Sequence, residues 1–202
     1  MMLRALALFS LIALSAPAVA DELACSGPLG KDATLADIEA AYGTANVVTG
    51  EVPGPEGTTL IATTVFGDDA DKSFTVYWWD EDKHAHLSGF TVPAKDSAPG
   101  GVTLGMGIAD VEALNGEPFT LSGFFWDYGG SAGFDSGKLS GLPGGCVLNL
   151  QFSPSLDPLP EALSNAISGD RELRSDMKDV RAAKPVVAAI TVGYPAPEDM
   201  AD

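Results

Sequence analysis

Two ten-residue segments of this chain are nearly the same, and this internal repeat limits the fold more than any other feature. TLADIEAAYG occupies Thr34–Gly43, and GIADVEALNG occupies Gly107–Gly116. Each segment spaces its apolar residues as a short amphipathic helix does, and each ends in glycine, which readily closes a helix in a left-handed conformation. Any short capped helix shares part of this pattern, but matching positions in phase favour a duplicated unit.

Runs typical of β-strands follow each of the two predicted helices. The first helix is followed by Thr59–Phe66, Phe74–Asp80 and His84–Val92, and the second by Phe119–Tyr128, Cys146–Phe152 and Pro185–Tyr194. Pro158–Ser168 reads as an inserted helix. We therefore predict an α+β fold of two tandem α-βββ repeats, residues 21–99 and 100–194. They would form a largely antiparallel six-stranded sheet with helices on one face and a disordered tail at 195–202.

This arrangement resembles two families of bacterial envelope and secreted proteins. Tandem helix-plus-three-strand units, here led by ADIEAAYG and ADVEALNG, are similar to the tandem repeats of beta-lactamase inhibitor proteins and to single BamE/SmpA-type modules. The stretch LNGEPFTLSGFFWDYGG also resembles one in secreted bacterial proteins without an assigned activity. The resemblance implies short helices packed on one side of an antiparallel sheet whose other side is open, and it carries over no functional residue.

The first twenty residues have the three parts of a secretory signal peptide. Arg4 supplies the positive charge, an apolar run follows, and Ala18-Val19-Ala20 forms a cleavage site of the small-x-small type. A retained membrane anchor and a lipoprotein attached through Cys25 are the alternatives. The apolar run is short for a membrane span, and charged Asp21 and Glu22 precede that cysteine. We therefore expect a soluble periplasmic or secreted protein.

Cysteine count and charge add two further expectations. Cys25 and Cys146 are the only cysteines, and an even number in an exported chain predicts a disulfide. The net charge is −17, which disfavours binding to nucleic acid or to anionic lipid. The same acidity is also explained by solubility alone. The partners that remain are proteins, and the oligomeric state is left open.

Alternation along the predicted strands separates an inward set of side chains from an outward set. Phe74, Val76 and Trp78 belong to the inward set, as do Phe119, Leu121 and Phe125. The outward set mixes aromatic, hydroxyl and amide groups, a composition suited to protein binding or to stacking on sugars. It comprises Thr75, Tyr77, Trp79, Ser122, Phe124, Trp126, Asn149 and Gln151. The alternative is that Gly129–Gly145 or Val47–Gly57 covers this face, so that Trp79 and Trp126 form a second small core.

Motifs for catalysis are weak. His84 and His86 lie near Asp80, and two imidazoles with a carboxylate are potential zinc or copper ligands, although a hairpin end explains the same residues. The chain has no G-x-S-x-G elbow, phosphate loop or dinucleotide motif. We therefore expect an exported binding protein without a cofactor. The alternative is a hydrolase of an envelope polymer, or a metal-binding protein, acting through Asp80, His84 and His86.

Overall fold

The structure is a computed structural model that describes residues 21–200, so the predicted signal peptide at residues 1–20 lies outside the described residues. Its helices are α1 (Leu35–Tyr42), α2 (Ile108–Asn115), α3 (Glu161–Ile167) and α4 (Lys178–Ala182). Its strands are β1 (Val47–Pro53), β2 (Thr59–Val65), β3 (Phe74–Asp80), β4 (Ala85–Thr91), β5 (Thr120–Ser122), β6 (Ser131–Ala132), β7 (Val147–Pro154), β8 (Glu172–Arg174) and β9 (Pro185–Gly193).

Seven strands form one antiparallel sheet in the order β1-β2-β3-β4-β9-β7-β6. The α+β class with a large antiparallel sheet is therefore confirmed, but the strand set differs from the predicted six. β1 lies in Val47–Gly57, which was suggested above as a cover for the outward face, and it pairs with β2 along its whole length. Strand β5 leaves the large sheet and pairs with β8 in a separate two-stranded sheet.

The two repeated segments form α1 and α2, as predicted. Asp37 closes the first turn of α1, because its carboxylate accepts hydrogen bonds from the backbone N–H of Thr34 at 2.9 Å and from the Thr34 hydroxyl at 2.7 Å. Both helices end at a glycine with positive φ, 84° at Gly43 and 85° at Gly116. Only Gly116 has the full left-handed conformation, with ψ −4°.

The core lies on one face of the large sheet. Phe74, Val76 and Trp78 of β3 are buried, as the alternation predicts. Helix α1 adds Ile38 and helix α2 adds Val111, and both are fully buried in the same cluster of apolar side chains. Burying each such side chain stabilises the fold by about 1.5–3 kcal/mol. The helices and the alternating strand residues therefore share one core.

The predicted disulfide joins Cys25, ahead of α1, to Cys146, immediately ahead of β7. Both cysteines are buried, and their Cα atoms are 6.1 Å apart. The glycine-rich segment 129–145 packs its Leu139 and Leu142 into the same core cluster. Gly144 approaches Cys25 so closely that a Cβ atom there would collide with the Cys25 carbonyl oxygen. The bridge and this segment thus belong to the core side of the sheet.

The C-terminal residues that the sequence predicts to be disordered are described as far as Met200. Residues 195–200 continue beyond β9 without further strand structure, and the Met200 N–H donates to the Pro197 carbonyl at 2.9 Å in a turn. The last two residues lie outside the described part of the chain.

Candidate binding surface

The face of the large sheet opposite the core carries rows of side chains that run across the strands. Directly paired residues of an antiparallel sheet share a face, so the strand register defines each row. One row, the threonine row, consists of Val48, Thr64, Thr75, Thr91, Thr191 and Asn149. Within it, the Thr75 backbone N–H donates to the Thr91 hydroxyl at 2.9 Å. Four hydroxyl side chains thus follow one another on four neighbouring strands.

A neighbouring row, the tyrosine row, is made almost entirely of small residues around one aromatic ring. It consists of Gly50, Ala62, Tyr77, Gly89, Gly193 and Val147. Glycine is required at position 89, because a Cβ atom there would lie 2.7 Å from the Val192 carbonyl oxygen. Ala62 and Gly89, the two residues paired with Tyr77, are buried, and Tyr77 itself is half-buried.

Neither row contains a charged side chain, although the protein has 28 acidic and 11 basic residues. The exposed apolar side chains of this open face include Val48 (67 % exposed), Val147 (49 %) and Trp79 (42 %). Covering such a surface removes apolar area from water and desolvates no charge, which is the composition found at the centre of protein–protein interfaces. We call the two rows together with Trp79 the open face.

Trp79 is held in place at the edge of the open face. Its indole N–H donates to the Tyr194 carbonyl at 3.2 Å, which joins β3 to the residue after β9. A depression of about 430 Å³ lies beside it, and its lining includes Leu60, Tyr77 and Ser88. Glu81 also lines this depression, and its carboxylate accepts a hydrogen bond from the Ile61 backbone N–H at 3.2 Å. The fixed indole and this depression provide an aromatic anchor and a recess next to it.

A second depression of about 430 Å³ lies on the other side of the sheet's midline. Its lining includes the hydroxyls and amides of Ser122, Ser131, Asn149, Gln151 and Thr191. All five side chains are uncharged hydrogen-bonding groups. This end of the open face therefore offers donors and acceptors where the other end offers aromatic rings.

Both segments suggested as covers take part in the large sheet, and Ser131 and Gly133 of the segment 129–145 line the polar depression. Val47–Gly57 provides β1, which extends the sheet sideways and adds Val48 to the threonine row. The segment 129–145 packs its buried leucines on the core side, as described above. Five residues of the predicted outward set lie on the open face or beside it: Thr75, Tyr77, Trp79, Asn149 and Gln151.

Phe124 is a correction to the predicted outward set. It is 1 % exposed, whereas Phe125, predicted to face inward, is 59 % exposed. Strand β5 ends at Ser122, and the chain then turns so that the Phe124 N–H donates to the Ile167 carbonyl at 2.8 Å. Phe125 adopts a φ of 65°, which reverses the direction of the chain. The two-residue alternation therefore stops at Ser122 and cannot assign the phenylalanines that follow.

Ser122 and Trp126 are near the open face but outside the large sheet. Ser122 belongs to β5 and contributes to the polar depression. Trp126 lies in the turn after β5, and its indole N–H donates to the Gly123 carbonyl at 2.7 Å. It lines a smaller depression of about 290 Å³ with Arg171 and Glu172. Trp126 therefore does not share the large sheet with Trp79, because it follows β5, which belongs to a different sheet.

The histidine region is the hairpin end between β3 and β4. Asp80 forms an ion pair with Lys83 at 2.7 Å, and the hydrogen bond from the Lys83 ammonium group lowers the pKa of the Asp80 carboxyl group. His84 and His86 both have positive φ, 50° and 56°, where the hairpin joins β4. Within residues 21–200, no group of three or more histidine, cysteine, aspartate or glutamate side chains is arranged to hold a metal ion.

Sequence reasoning missed several residues of the open face, notably Val48, Thr64, Thr91 and Thr191. A weak signal existed for Val48, because a strand through VVTGEVP would place Val48 and Val52 on the same side, with Gly50 between them. The glycine and proline of that run obscured it. The threonines of separate strands become one row only through the strand register.

Among residues 21–200, no helix is both long enough and apolar enough to cross a membrane. Comparison of the chain with protein-family models, with curated proteins and with solved structures finds no match. The functional argument therefore starts from the chemistry of the open face.

Proposed function

We propose that this is an exported binding protein that holds another protein against the open face of its sheet. The observation that carries the proposal is the absence of charge from both rows of this face, in a protein with a net charge of −17. Solubility favours charged side chains on a sheet face that stays in water. An uncharged face with exposed valines and tryptophan is suited to being covered.

The two ends of the open face suit different parts of an interface. Tyr77 and Trp79 provide aromatic anchors, the residue types that dominate binding energy at protein interfaces. The hydrogen bond from Trp79 to Tyr194 restrains the indole before binding, so less side-chain entropy is lost in the complex. Asn149 and Gln151 provide hydrogen bonds that fix the orientation of the partner. The partner is thus expected to present an apolar, uncharged patch to the aromatic end.

Export rests on the predicted signal peptide and is consistent with the buried disulfide. Disulfides persist in oxidising compartments such as the periplasm and the extracellular medium. The Cys25–Cys146 bridge closes a separation of 121 residues and joins the segment ahead of α1 to the strand that carries Asn149. The proposed partner is therefore a protein of the cell envelope or of the surroundings.

Site-specific photo-crosslinking tests this proposal in the cell that exports the protein. A photoreactive amino acid replaces Asn149, which is exposed on the open face, and in a matched variant it replaces Ala40, which is exposed on α1. We expect a discrete cross-linked product with another protein from position 149 only. The same product from position 40, or none from position 149, would contradict the proposal.

A second substitution in the position-149 variant separates specific binding from chance proximity. Trp79→Ala should remove most of the cross-linked product, because it deletes the anchor at the opposite end of the face. Phe125→Ala is the matched control, since Phe125 is an exposed aromatic residue outside both rows. Circular dichroism of both variants establishes that the fold is retained. A product that persists in Trp79→Ala would place the partner elsewhere.

A further inference from the structure

We propose that β1 pairs in antiparallel fashion with β1 of a second copy of this chain, so that the two large sheets join edge to edge. This inference is independent of the proposed protein partner. It starts from the position of β1, which pairs with β2 on one side and forms the outer edge of the seven-stranded sheet on the other. The opposite edge is β6, which has only two residues and lies beside β5.

The hydrogen bonds at the ends of β1 define which backbone groups point outward. The Phe66 N–H donates to the Asn46 carbonyl at 2.8 Å, and the Gly54 N–H donates to the Thr58 carbonyl at 2.7 Å. Since hydrogen-bonded pairs alternate in an antiparallel ladder, the even-numbered residues of β1 bond to β2. The backbone N–H and C=O groups of Thr49 and Glu51 therefore point to the free edge.

Within residues 21–200, two backbone donors along this edge of β1 have no partner. The Val47 N–H donates to the Thr44 carbonyl at the start of the strand, and Pro53 at its end has no N–H. The donors that remain are those of Thr49 and Glu51. A strand that pairs with this edge must therefore offer two C=O acceptors and two N–H donors, spaced two residues apart as in Thr49 and Glu51. The strand β1 of a second copy offers these groups.

One register satisfies all of these groups, with the two-fold axis at Gly50. Thr49 then lies opposite Glu51 of the second copy, and each of these two equivalent pairs exchanges both N–H···O=C bonds. On the open face, Val48 lies opposite Val52 of the second copy, and Gly50 lies opposite Gly50. The run VTGEV thus presents the same apolar pattern in both directions. Such self-complementarity is what an isologous two-fold interface requires.

The same register avoids a direct clash of like charges. Glu51 lies opposite Thr49 of the second copy and not opposite the second Glu51. β1 has no other charged residue. Val48, which is 67 % exposed, gains an apolar neighbour. In this dimer the two open faces become one continuous surface, with the four valines at its centre.

The dimer is expected to be weak and to depend on salt. A single pair of edge strands buries less than the roughly 1,200 Å² of a stable interface. Each copy also carries a net charge of −17, so the two repel each other at low ionic strength. Sedimentation equilibrium of the oxidised chain beginning at Asp21 should show reversible dimerisation that strengthens as sodium chloride is added. A monomer at millimolar concentration in high salt overturns the proposal.

Charge substitutions at Gly50 test the register itself. A Cβ atom at Gly50 has no neighbouring atom within 4 Å, so the folded monomer accommodates a longer side chain. Gly50→Glu and Gly50→Lys should each weaken self-association about fivefold or more, because two like charges then meet at the two-fold axis. An equimolar mixture of the two variants should recover association as a heterodimer. A mixture that associates no better than either variant alone overturns this register.

Backbone substitutions at Thr49 test the hydrogen bonds. Thr49→Pro removes an N–H that faces the free edge, and two hydrogen bonds per dimer are lost, which should weaken dimerisation about 30-fold. It also removes the hydrogen bond between the Thr49 and Thr63 hydroxyls, which are 2.8 Å apart. Thr49→Val is the matched control, because it loses this hydroxyl but keeps the N–H, and it should still dimerise. Equal dimerisation of Thr49→Pro and Thr49→Val overturns edge pairing.

These experiments test the proposed dimer and the proposed complex with another protein separately. The Thr49→Pro variant should keep the cross-link from position 149 to the other protein, since Asn149 lies on β7, far along the sheet order from β1. A cross-linked product of twice the mass of the exported chain would instead report contact between two copies.

Discussion

The strands that follow α1 and those that follow α2 build the sheet in different ways. β1 to β4 form a meander in which each strand pairs with the next one in the sequence. After α2, two helices and the small β5–β8 sheet separate the strands that join the large sheet. The first half provides a regular surface with Tyr77 and Trp79, and the second half provides a polar depression built from several segments.

A common element nevertheless links each helix to the sheet. Thr34, immediately ahead of α1, forms an antiparallel bridge with Ala85 at the start of β4. Gly107, immediately ahead of α2, forms one with Val186 near the start of β9. Strands β4 and β9 then pair with each other at the centre of the sheet. In both halves, the residue before the helix contacts the last strand of that half, β4 or β9. The strands between them differ.

The largest expected effect comes from removing the disulfide that joins the two halves. Replacing both Cys25 and Cys146 with serine should lower the free energy of unfolding by about 4–5 kcal/mol, because the bridge spans 121 residues and restricts the unfolded chain. Urea denaturation of the oxidised protein and of the double variant measures the difference. A loss below about 1 kcal/mol would mean that noncovalent packing alone holds the halves together.

Two adjacent phenylalanines test the irregular part of the second half. Phe124→Ala should destabilise the protein by about 3–5 kcal/mol, since Phe124 is 1 % exposed and its removal leaves a cavity. Phe125→Ala should change stability by less than about 1 kcal/mol, because that ring is 59 % exposed. Thermal and urea unfolding compare the two variants directly. Equal losses would contradict the chain reversal after β5.

The smallest expected effect concerns the first turns of the two repeated helices. Asp37 bonds to Thr34, and the hydrogen bond from the Thr34 hydroxyl lowers the pKa of the Asp37 carboxyl group below its usual 3.8. Asp110 occupies the matching position of α2, where Gly107 has no hydroxyl. Asp37→Asn should therefore lower the urea midpoint slightly at neutral pH, and Asp110→Asn should lower it less.

The pH dependence of this difference follows from the direction of the Asp37 pKa. A pKa that is lower in the folded state adds stability above the unfolded-state value, and this contribution disappears as the pH falls through the folded-state value. The midpoints of Asp37→Asn and of the unsubstituted protein should therefore converge in acid. A constant difference from pH 7 to pH 2 would show that the carboxylate charge is not responsible.

The sequence predicted the elements whose signals are local. β3 has the predicted bounds, Phe74–Asp80, and α1 and α2 begin and end within one residue of the repeated segments. The alternation in FTVYWWD and the glycine that closes each helix act over a few residues, so they are readable without the rest of the chain. The cysteine pairing was equally accessible, because only two cysteines exist.

Only the tertiary structure decided which strands meet and which face they leave open. VVTGEVP contains glycine and proline, and it becomes β1 because β2 supplies a partner for every residue from Val47 to Pro53. Phe124 is buried because the chain turns after Ser122 toward Ile167, a contact between residues distant in sequence. The threonine row likewise exists only through strand register. Local chemistry therefore determined the elements of this protein, and long-range backbone pairing determined its surface.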